Sequence, residues 1–201
     1  MSTAIAHIVD DDEAIRDALA WLFKTRDVPC RPWPGGEEFL AEWQPDWRGC
    51  IVLDIRMAGM SGLECFDALN ARGNAMPVIF ITGHGDVPMA VSALKKGAFD
   101  FIEKPFNDLD LAALVEKAIA HDNARQRATA DRDTIEARLA TLSAREREVM
   151  ELILEGLYNK VIADRLSISM RTVEAHRSRV FEKMQVRSAV ELAQMLTTMR
   201  G

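Results

Sequence analysis

The stretch Ile51-Val52-Leu53-Asp54-Ile55-Arg56-Met57 constrains the fold of this chain more than any other. Its run of apolar, largely β-branched residues reads as a strand buried on both faces, as in a parallel sheet. Such a strand ends at the carboxyl edge of its sheet, and there the chain places a carboxylate. A helix cap is the simplest alternative role for Asp54. The next helix start, however, is the capping-box pattern Ser61-Gly62-Leu63-Glu64 seven residues later, so Asp54 has no helix of its own to cap. A carboxylate at the C-terminal end of a central strand lies where open α/β sheets carry their chemistry.

The flanking sequence fits that sheet. Ala4 to Val9 reads as a first buried strand, followed by the acidic run Asp10-Asp11-Asp12-Glu13 and a helical pattern through Ile15, Leu19, Leu22 and Phe23. Val28–Trp33 is a weaker strand and Gly36–Trp43 a short helix. A helix follows from Ser61 to about Arg72, then strand 78–81, the loop Gly83-His84-Gly85-Asp86 and a helix from Val87 to Lys96, ended by Gly97. Ala98–Glu103 is a fifth strand, broken by Pro105, and a helix starts near Asp108. Five alternations predict an α/β doubly wound, five-stranded parallel sheet of order 2-1-3-4-5. Residues 121–142 read as a mostly solvated helical linker, with Ile135 and Leu139 as an i, i+4 pair open to a two-stranded coil. From the capping box Ser143-Ala144-Arg145-Glu146 onward only helices are predicted, at about 144–155, 159–166, 170–184 and 188–199. The domains expected are therefore 1–120 and 143–201, the second an all-α four-helix unit.

Charge divides the same way. Residues 1–120 carry 11 Lys/Arg against 19 Asp/Glu, and residues 143–201 carry 10 against 8, so the two parts differ in their partners. No apolar run reaches the roughly 20 residues of a membrane helix, and Met1-Ser2-Thr3 leads into a strand without a signal-peptide pattern. Cys30, Cys50 and Cys65 have neither metal nor redox spacing and fit reduced core thiols in a cytoplasmic protein.

The acidic run after strand one shares its sheet edge with Asp54. The simplest role for Asp10–Glu13 is a favourable helix N-terminus. Three carboxylates crowded together nevertheless repel, and an oxygen-coordinating divalent cation relieves them; few protein ligands and several waters favour Mg²⁺ over Ca²⁺. Strands four and five end at Thr82 and Lys104, an ordinary β-former and an ordinary surface lysine taken alone. Placed beside Asp54, the hydroxyl and the cation would bind the oxygens of a transferred phosphoryl group.

Asp10-Asp11, Asp54, Thr82 and Lys104-Pro105, spaced 43, 28 and 22 residues apart from Asp11 onward, resemble the receiver domain of two-component response regulators over about residues 1–120. The resemblance implies that Asp54 is the phosphoacceptor. It implies that Asp10, Asp11, Asp54 and the backbone carbonyl of Arg56 hold Mg²⁺, and that Thr82 and Lys104 bind the phosphoryl group. Phe101 would be the aromatic that reorients with Thr82. A sensor histidine kinase is the implied partner, and a homodimer would form on phosphorylation, in which charge placement would let Lys95, Lys96 and Asp100 pair across the two-fold axis.

In helix 170–184, Val173, Val180 and Met184 fall within about 40° of one another and face a core, while Arg171, Glu174, Ala175, Ser178 and Glu182 fall opposite. Ser167-Ile168-Ser169 forms a tight turn before it, which suggests a helix-turn-helix; a small dimerisation module is the alternative. The motifs Leu142-Ser143, Arg145-Glu146-Arg147-Glu148-Val149, Gly156-Leu157-Tyr158-Asn159-Lys160, Ile162-Ala163, Leu166-Ser167-Ile168-Ser169 and Thr172-Val173-Glu174-Ala175-His176-Arg177 resemble a LuxR-type DNA-binding domain. That implies DNA contacts from Lys160, Arg171, Thr172, Glu174, Ala175, Arg177, Ser178 and Arg179. Tyr158 is expected to pack beside the second helix. Both halves together resemble the NarL/FixJ subfamily of transcriptional regulators, which implies promoter DNA and RNA polymerase as partners and a regulator, not an enzyme. A phosphatase with an aspartyl nucleophile would usually carry a second Asp two residues after the first, where this chain has Arg56. A phosphorylation-independent DNA-binding protein would not need the acidic pair, Thr82 and Lys104.

Overall fold

β-Branched runs and capped amphipathic segments alternate through the first part of the chain, as the sequence patterning requires. The computed structural model describes residues 3–83 and 87–198; His84, Gly85 and Asp86 of the loop named above, and the last residues from Met199, lie outside that range. The first elements are β1 (Ile5–Val9), α1 (Glu13–Lys24), β2 (Cys30–Trp33), α2 (Gly36–Glu42), β3 (Gly49–Asp54) and α3 (Gly62–Ala71). They are followed by β4 (Val78–Thr82), α4 (Val87–Lys95), β5 (Asp100–Glu103) and α5 (Asp108–Ala140). The strands pair in parallel in the order β2-β1-β3-β4-β5. β5 starts later than Ala98 because the Ala98 amide closes the end of α4 on the Ala93 carbonyl at 3.0 Å.

The two faces of the sheet read directly from the alternation along β3. Ile51 and Leu53 join Phe39, Phe66, Leu69 and Phe80 under α2, α3 and α4. Cys50 and Val52 join Leu19, Phe23, Leu111 and Val115 under α1 and α5. All six residues of β3 are buried, as a central parallel strand demands. The start of β3 is tied to α5 by fully buried Asp122, which accepts from the Gly49 amide and from Arg48 Nε, each at 3.1 Å. Cys50 and Cys65 are buried, Cys30 is half-buried, and none is in a disulfide.

The chain forms two units, residues 1–126 and 127–201. The second contains the end of α5 and four further helices, α6 (Ala144–Leu154), α7 (Asn159–Leu166), α8 (Met170–Met184) and α9 (Ala189–Thr198). Its core joins Val149, Ile153, Ile162, Val173, Val180, Met184 and Leu192. Ile135 is buried in this core and Leu139 packs against it, so the pair serves the unit's own interior and not a second coil strand. Among the described residues no helix is long and apolar enough to cross a membrane.

Beneath β1 and β2, His7 stacks on Trp47 with ring centroids 4.5 Å apart and accepts through Nδ1 from Trp33 Nε1 at 3.1 Å. Burial, with Arg31 acting in the same direction, lowers the His7 pKa to about 4. A histidine whose pKa falls on folding stabilises the native state fully above its unfolded pKa of about 6.5, and that contribution is lost as pH drops toward 4. Between pH 7 and pH 5 the loss amounts to about 2 kcal/mol. Trp21, Trp33, Trp43 and Trp47 are all in the first unit, so tryptophan-detected urea melts at the two pH values read its stability. His7→Gln keeps an acceptor for Trp33 without titrating in this range and should remove this part of the pH dependence.

Candidate phosphoacceptor site and nucleic-acid interface

The acidic run after β1 is divided among three tasks. Asp12 caps α1, accepting from the Ala14 amide at 2.8 Å. Asp10 is buried and accepts from the Asp12 amide at 2.9 Å. Asp11 reaches across to the loop after β3 and accepts from the Ala58 amide at 2.8 Å. The helix-cap role therefore falls to Asp12, which leaves Asp10 and Asp11 at the sheet edge.

Asp54 ends β3 with one carboxylate oxygen on the Arg56 amide at 2.7 Å and the other on Lys104 Nζ at 2.7 Å. The same ammonium lies 3.4 Å from Asp10 Oδ2. Lys104 is delivered by the end of β5: its amide donates to the Thr82 carbonyl at 2.7 Å, and the Lys104–Pro105 peptide is cis. Burial raises the Asp54 pKa and nearby Asp10 adds to the rise; the bonds from Lys104 and Arg56 offset it only in part. Burial alone would lower the Lys104 pKa, but Asp54 and Asp10 outweigh it and hold the ammonium charged.

Thr82 is completely buried at the end of β4, and its hydroxyl has no hydrogen-bond partner among the described residues. A buried hydroxyl without a partner costs free energy unless a ligand satisfies it. Phe101 is half-buried on β5, opposite Phe80 in register. The donor set at this edge fits a hard divalent cation: buried carboxylates from Asp10 and Asp54, an exposed one from Asp11, and nearby backbone. Among the described residues no group of three His, Cys, Asp or Glu side chains is placed to hold a metal ion by itself. On the neighbouring face Lys96 donates to both carboxylate oxygens of Asp67 at 2.9 Å within the chain, and Asp100 accepts from the Phe101 amide at 2.9 Å. These partners compete with the reciprocal pairing expected of Lys96 and Asp100.

Two residues that position the site carry no chemistry of their own and were not singled out in the sequence. Glu37 of α2 accepts from the Met60 amide at 2.8 Å and pins the loop after Asp54. Gly62 opens α3 directly over β3, where a Cβ would lie 2.1 Å from the Asp54 carbonyl oxygen. Only the capping box Ser61–Glu64 hinted at how tightly α3 starts there.

In the second unit, Ser167 ends α7 in the left-handed region at φ 52°, and Ser169 caps α8 by accepting from the Thr172 amide at 3.1 Å. Buried Val173, Val180 and Met184 fix the inner face of α8. Arg171, Glu174, Ala175, Ser178 and Arg179 are exposed on it, as is Lys160 on α7, and Arg177 is half-buried over the Phe181 ring. The Thr172 hydroxyl lies 2.8 Å from Ser169 Oγ, engaged in the cap. Tyr158 does not pack against α7: at the N-cap position it is 83% exposed, and its side chain makes no cap hydrogen bond.

A five-stranded parallel sheet with this carboxylate–lysine edge, followed by a helix-turn-helix unit, defines a two-domain regulator. The response regulator receiver domain family matches residues 6–116, and the luxR family of bacterial regulatory proteins matches residues 140–196. The chain belongs to the NarL/FixJ-type response regulators. It is 54% identical to the C4-dicarboxylate transport transcriptional regulatory protein DctR of Rhodobacter capsulatus, over 94% of this chain and 97% of that one. It is 46% identical to the transcriptional regulatory protein FixJ of Azorhizobium caulinodans, over 94% and 90%. The structure of the response regulator StyR superposes with a TM-score of 0.88 at 36% identity, covering 98% of this chain and 99% of StyR. The relatives are transcriptional regulators, from a family not known as enzymes.

The close approach at Gly62 yields a direct expectation. Gly62→Ala must displace the Asp54 carbonyl or the start of α3, because 2.1 Å is far inside van der Waals contact. A misplacement of about 1 Å at a reacting group costs up to about a hundredfold in rate. Phosphate incorporation from a small phosphodonor, followed by intact mass spectrometry, should slow by at least tenfold while circular dichroism retains the secondary structure.

Proposed function

We propose that a sensor histidine kinase phosphorylates Asp54, that phosphorylation promotes dimerisation, and that the dimer binds promoter DNA through α8 to regulate transcription. The receiver domain implies a kinase partner and the LuxR-type domain implies DNA binding. The observation that carries it is the Lys104 ammonium bridging Asp54 and Asp10, with the unpartnered Thr82 hydroxyl at the end of the next strand. Residues 1–120 form the receiver in this reading, 121–142 the helical linker and 143–201 the DNA-binding domain. The protein acts in the cytoplasm, with RNA polymerase the machinery it influences.

In the transfer, a carboxylate oxygen of Asp54 attacks phosphorus. The new O–P bond forms as the P–N bond to the kinase histidine breaks, and the imidazole keeps the electron pair. A carboxylate approaching a phosphoryl dianion meets charge repulsion. Lys104 reduces it from within bonding distance, and the Thr82 hydroxyl donates to a phosphoryl oxygen and gains the partner it lacks. Mg²⁺, held by Asp10, Asp11, Asp54 and the Arg56 backbone carbonyl, would supply the remaining positive charge when bound. Thr82 then draws on Phe101 and the α4–β5 face, where the dimer forms.

Incubation with Mg²⁺ and acetyl phosphate should add one phosphoryl group to the intact mass of the wild type and none to Asp54→Asn. Sedimentation should show the treated wild type shifting toward a dimer and the mutant unchanged. A mass gain retained by Asp54→Asn would sink the assignment.

Glu174, Ala175 and Ser178 are taken to read base edges, and Lys160, Arg171, Arg177 and Arg179 to lie nearer the phosphates, with Thr172 at the cap. Glu174→Ala should relax preference at one base position by roughly 1–3 kcal/mol, since a carboxylate facing DNA is useful only where it accepts from cytosine or orients a neighbour. Arg179→Ala should weaken all sequences about equally and lower the salt slope by about one unit. Titrations of both variants on selected and singly substituted duplexes across a salt series separate the roles; uniform weakening by Glu174→Ala would reject the reading face.

A further inference from the structure

The C-terminal turn of α8 is held by groups that face away from its exposed side. Arg138, near the end of α5, donates through Nη1 to the Met184 carbonyl at 3.1 Å and through Nη2 to Gln185 Oε1 at 2.6 Å. Lys183 turns inward and donates to the Thr141 carbonyl at 2.9 Å and to Glu146 Oε2 at 2.6 Å. Glu146 is buried and already serves the capping box of α6, its Oε2 accepting from the Ser143 amide at 2.8 Å. Arg147 reaches back to the Leu139 carbonyl at 2.7 Å, so the end of α5, the start of α6 and the end of α8 meet in one polar knot.

We infer that Arg138 and Lys183 are positioning residues for DNA reading: they set the angle at which α8 presents its exposed face and do not themselves contact DNA. This rests on the reading that α8 is the helix that meets base edges. Three observations support it. Gln185 ends α8 in the left-handed region at φ 55°, where its own amide and that of Val186 bond the Glu182 and Phe181 carbonyls, and Arg138 takes the next carbonyl, that of Met184. The Lys183 ammonium is spent on two acceptors within the unit, the Thr141 carbonyl and the buried Glu146 carboxylate, unlike exposed Arg171 and Arg179 on the same helix. Finally, α8 has 15 residues, a length of about 22 Å at 1.5 Å per residue. Its N-terminal end is fixed by the Ser169 cap, so release of the far end tilts the middle, where Glu174, Ala175 and Ser178 lie. Bonds to base edges tolerate only a few tenths of an ångström of displacement before they are lost.

The test uses the full chain treated with Mg²⁺ and acetyl phosphate, its phosphorylation checked by intact mass, and duplexes enriched from a random-sequence pool by the treated wild type, beside a shuffled duplex. Arg138→Ala and Lys183→Met should lower the preference for the enriched duplex by about tenfold, leaving affinity for the shuffled duplex and the salt slope unchanged. Lys183→Arg, which can still reach Glu146, should restore the preference. Hydrogen exchange without DNA should rise at residues 183–186 in both weakened variants, while the amides of Ile162 and Ala163 in α7 stay protected. Unaltered exchange, or raised exchange with the wild-type preference, would overturn the proposal. So would equal weakening on both duplexes with a shallower salt slope, which would make these residues phosphate contacts. A wild type that enriches no duplex would overturn the assignment of α8 itself, and this proposal with it.

Discussion

Two carboxylates buried at one sheet edge are the constraint on which the rest of the first unit depends. Asp10 and Asp54 end adjacent strands, and neither could be buried as an anion without compensation. Lys104 supplies the charge, and the amides of Asp12 and Arg56 supply hydrogen bonds. The lysine can do this only because β5 ends beside β4, with the Lys104 amide held on the Thr82 carbonyl. Strand order is therefore a chemical requirement of the site.

The same economy shapes the loop after β3. The amides of Ala58 and Met60 are taken by carboxylates from two other elements, Asp11 and Glu37, and α3 starts so close to Asp54 that only glycine fits at position 62. The backbone around the Asp54 side chain is thus held by the chain's own groups. The hydroxyl of Thr82 is the exception, buried without a partner among the described residues, and it is the group a phosphoryl oxygen would satisfy.

The helical unit solves a different problem, that of giving short helices a fixed mutual geometry with a small core. A capping box at Ser143–Glu146 starts α6, and left-handed residues at Ser167 and Gln185 stop α7 and α8 sharply. Polar groups then do what core area cannot: Arg145 reaches the Leu166 carbonyl at the end of α7, and Lys183 joins the end of α8 to the start of α6. The lysine, with the Ser143 amide, lowers the Glu146 pKa to about 2, so this tie stays charged throughout the neutral range.

Much of this was legible in the sequence, because it depends on local periodicity and on residues at strand ends. The buried run before Asp54, the alternation of strands and helices, the two capping boxes, the tight turn before α8 and its inner face of Val173, Val180 and Met184 all follow from spacing alone. Residue type at the ends of β1, β3, β4 and β5 singled out Asp10, Asp11, Asp54, Thr82 and Lys104, since strand ends share one edge whatever the loops do. Tertiary structure alone decided which of three successive aspartates caps α1, because that turns on a fraction of a helical turn. It also decided that Ile135 and Leu139 belong to a core, that Tyr158 points outward, and that Asp122, Glu37 and Gly62 anchor distant backbone. The physical reason is common to all of them: their partners lie far away in the chain, and a side chain's sequence neighbours do not reveal which remote amide, carbonyl or apolar surface it will meet.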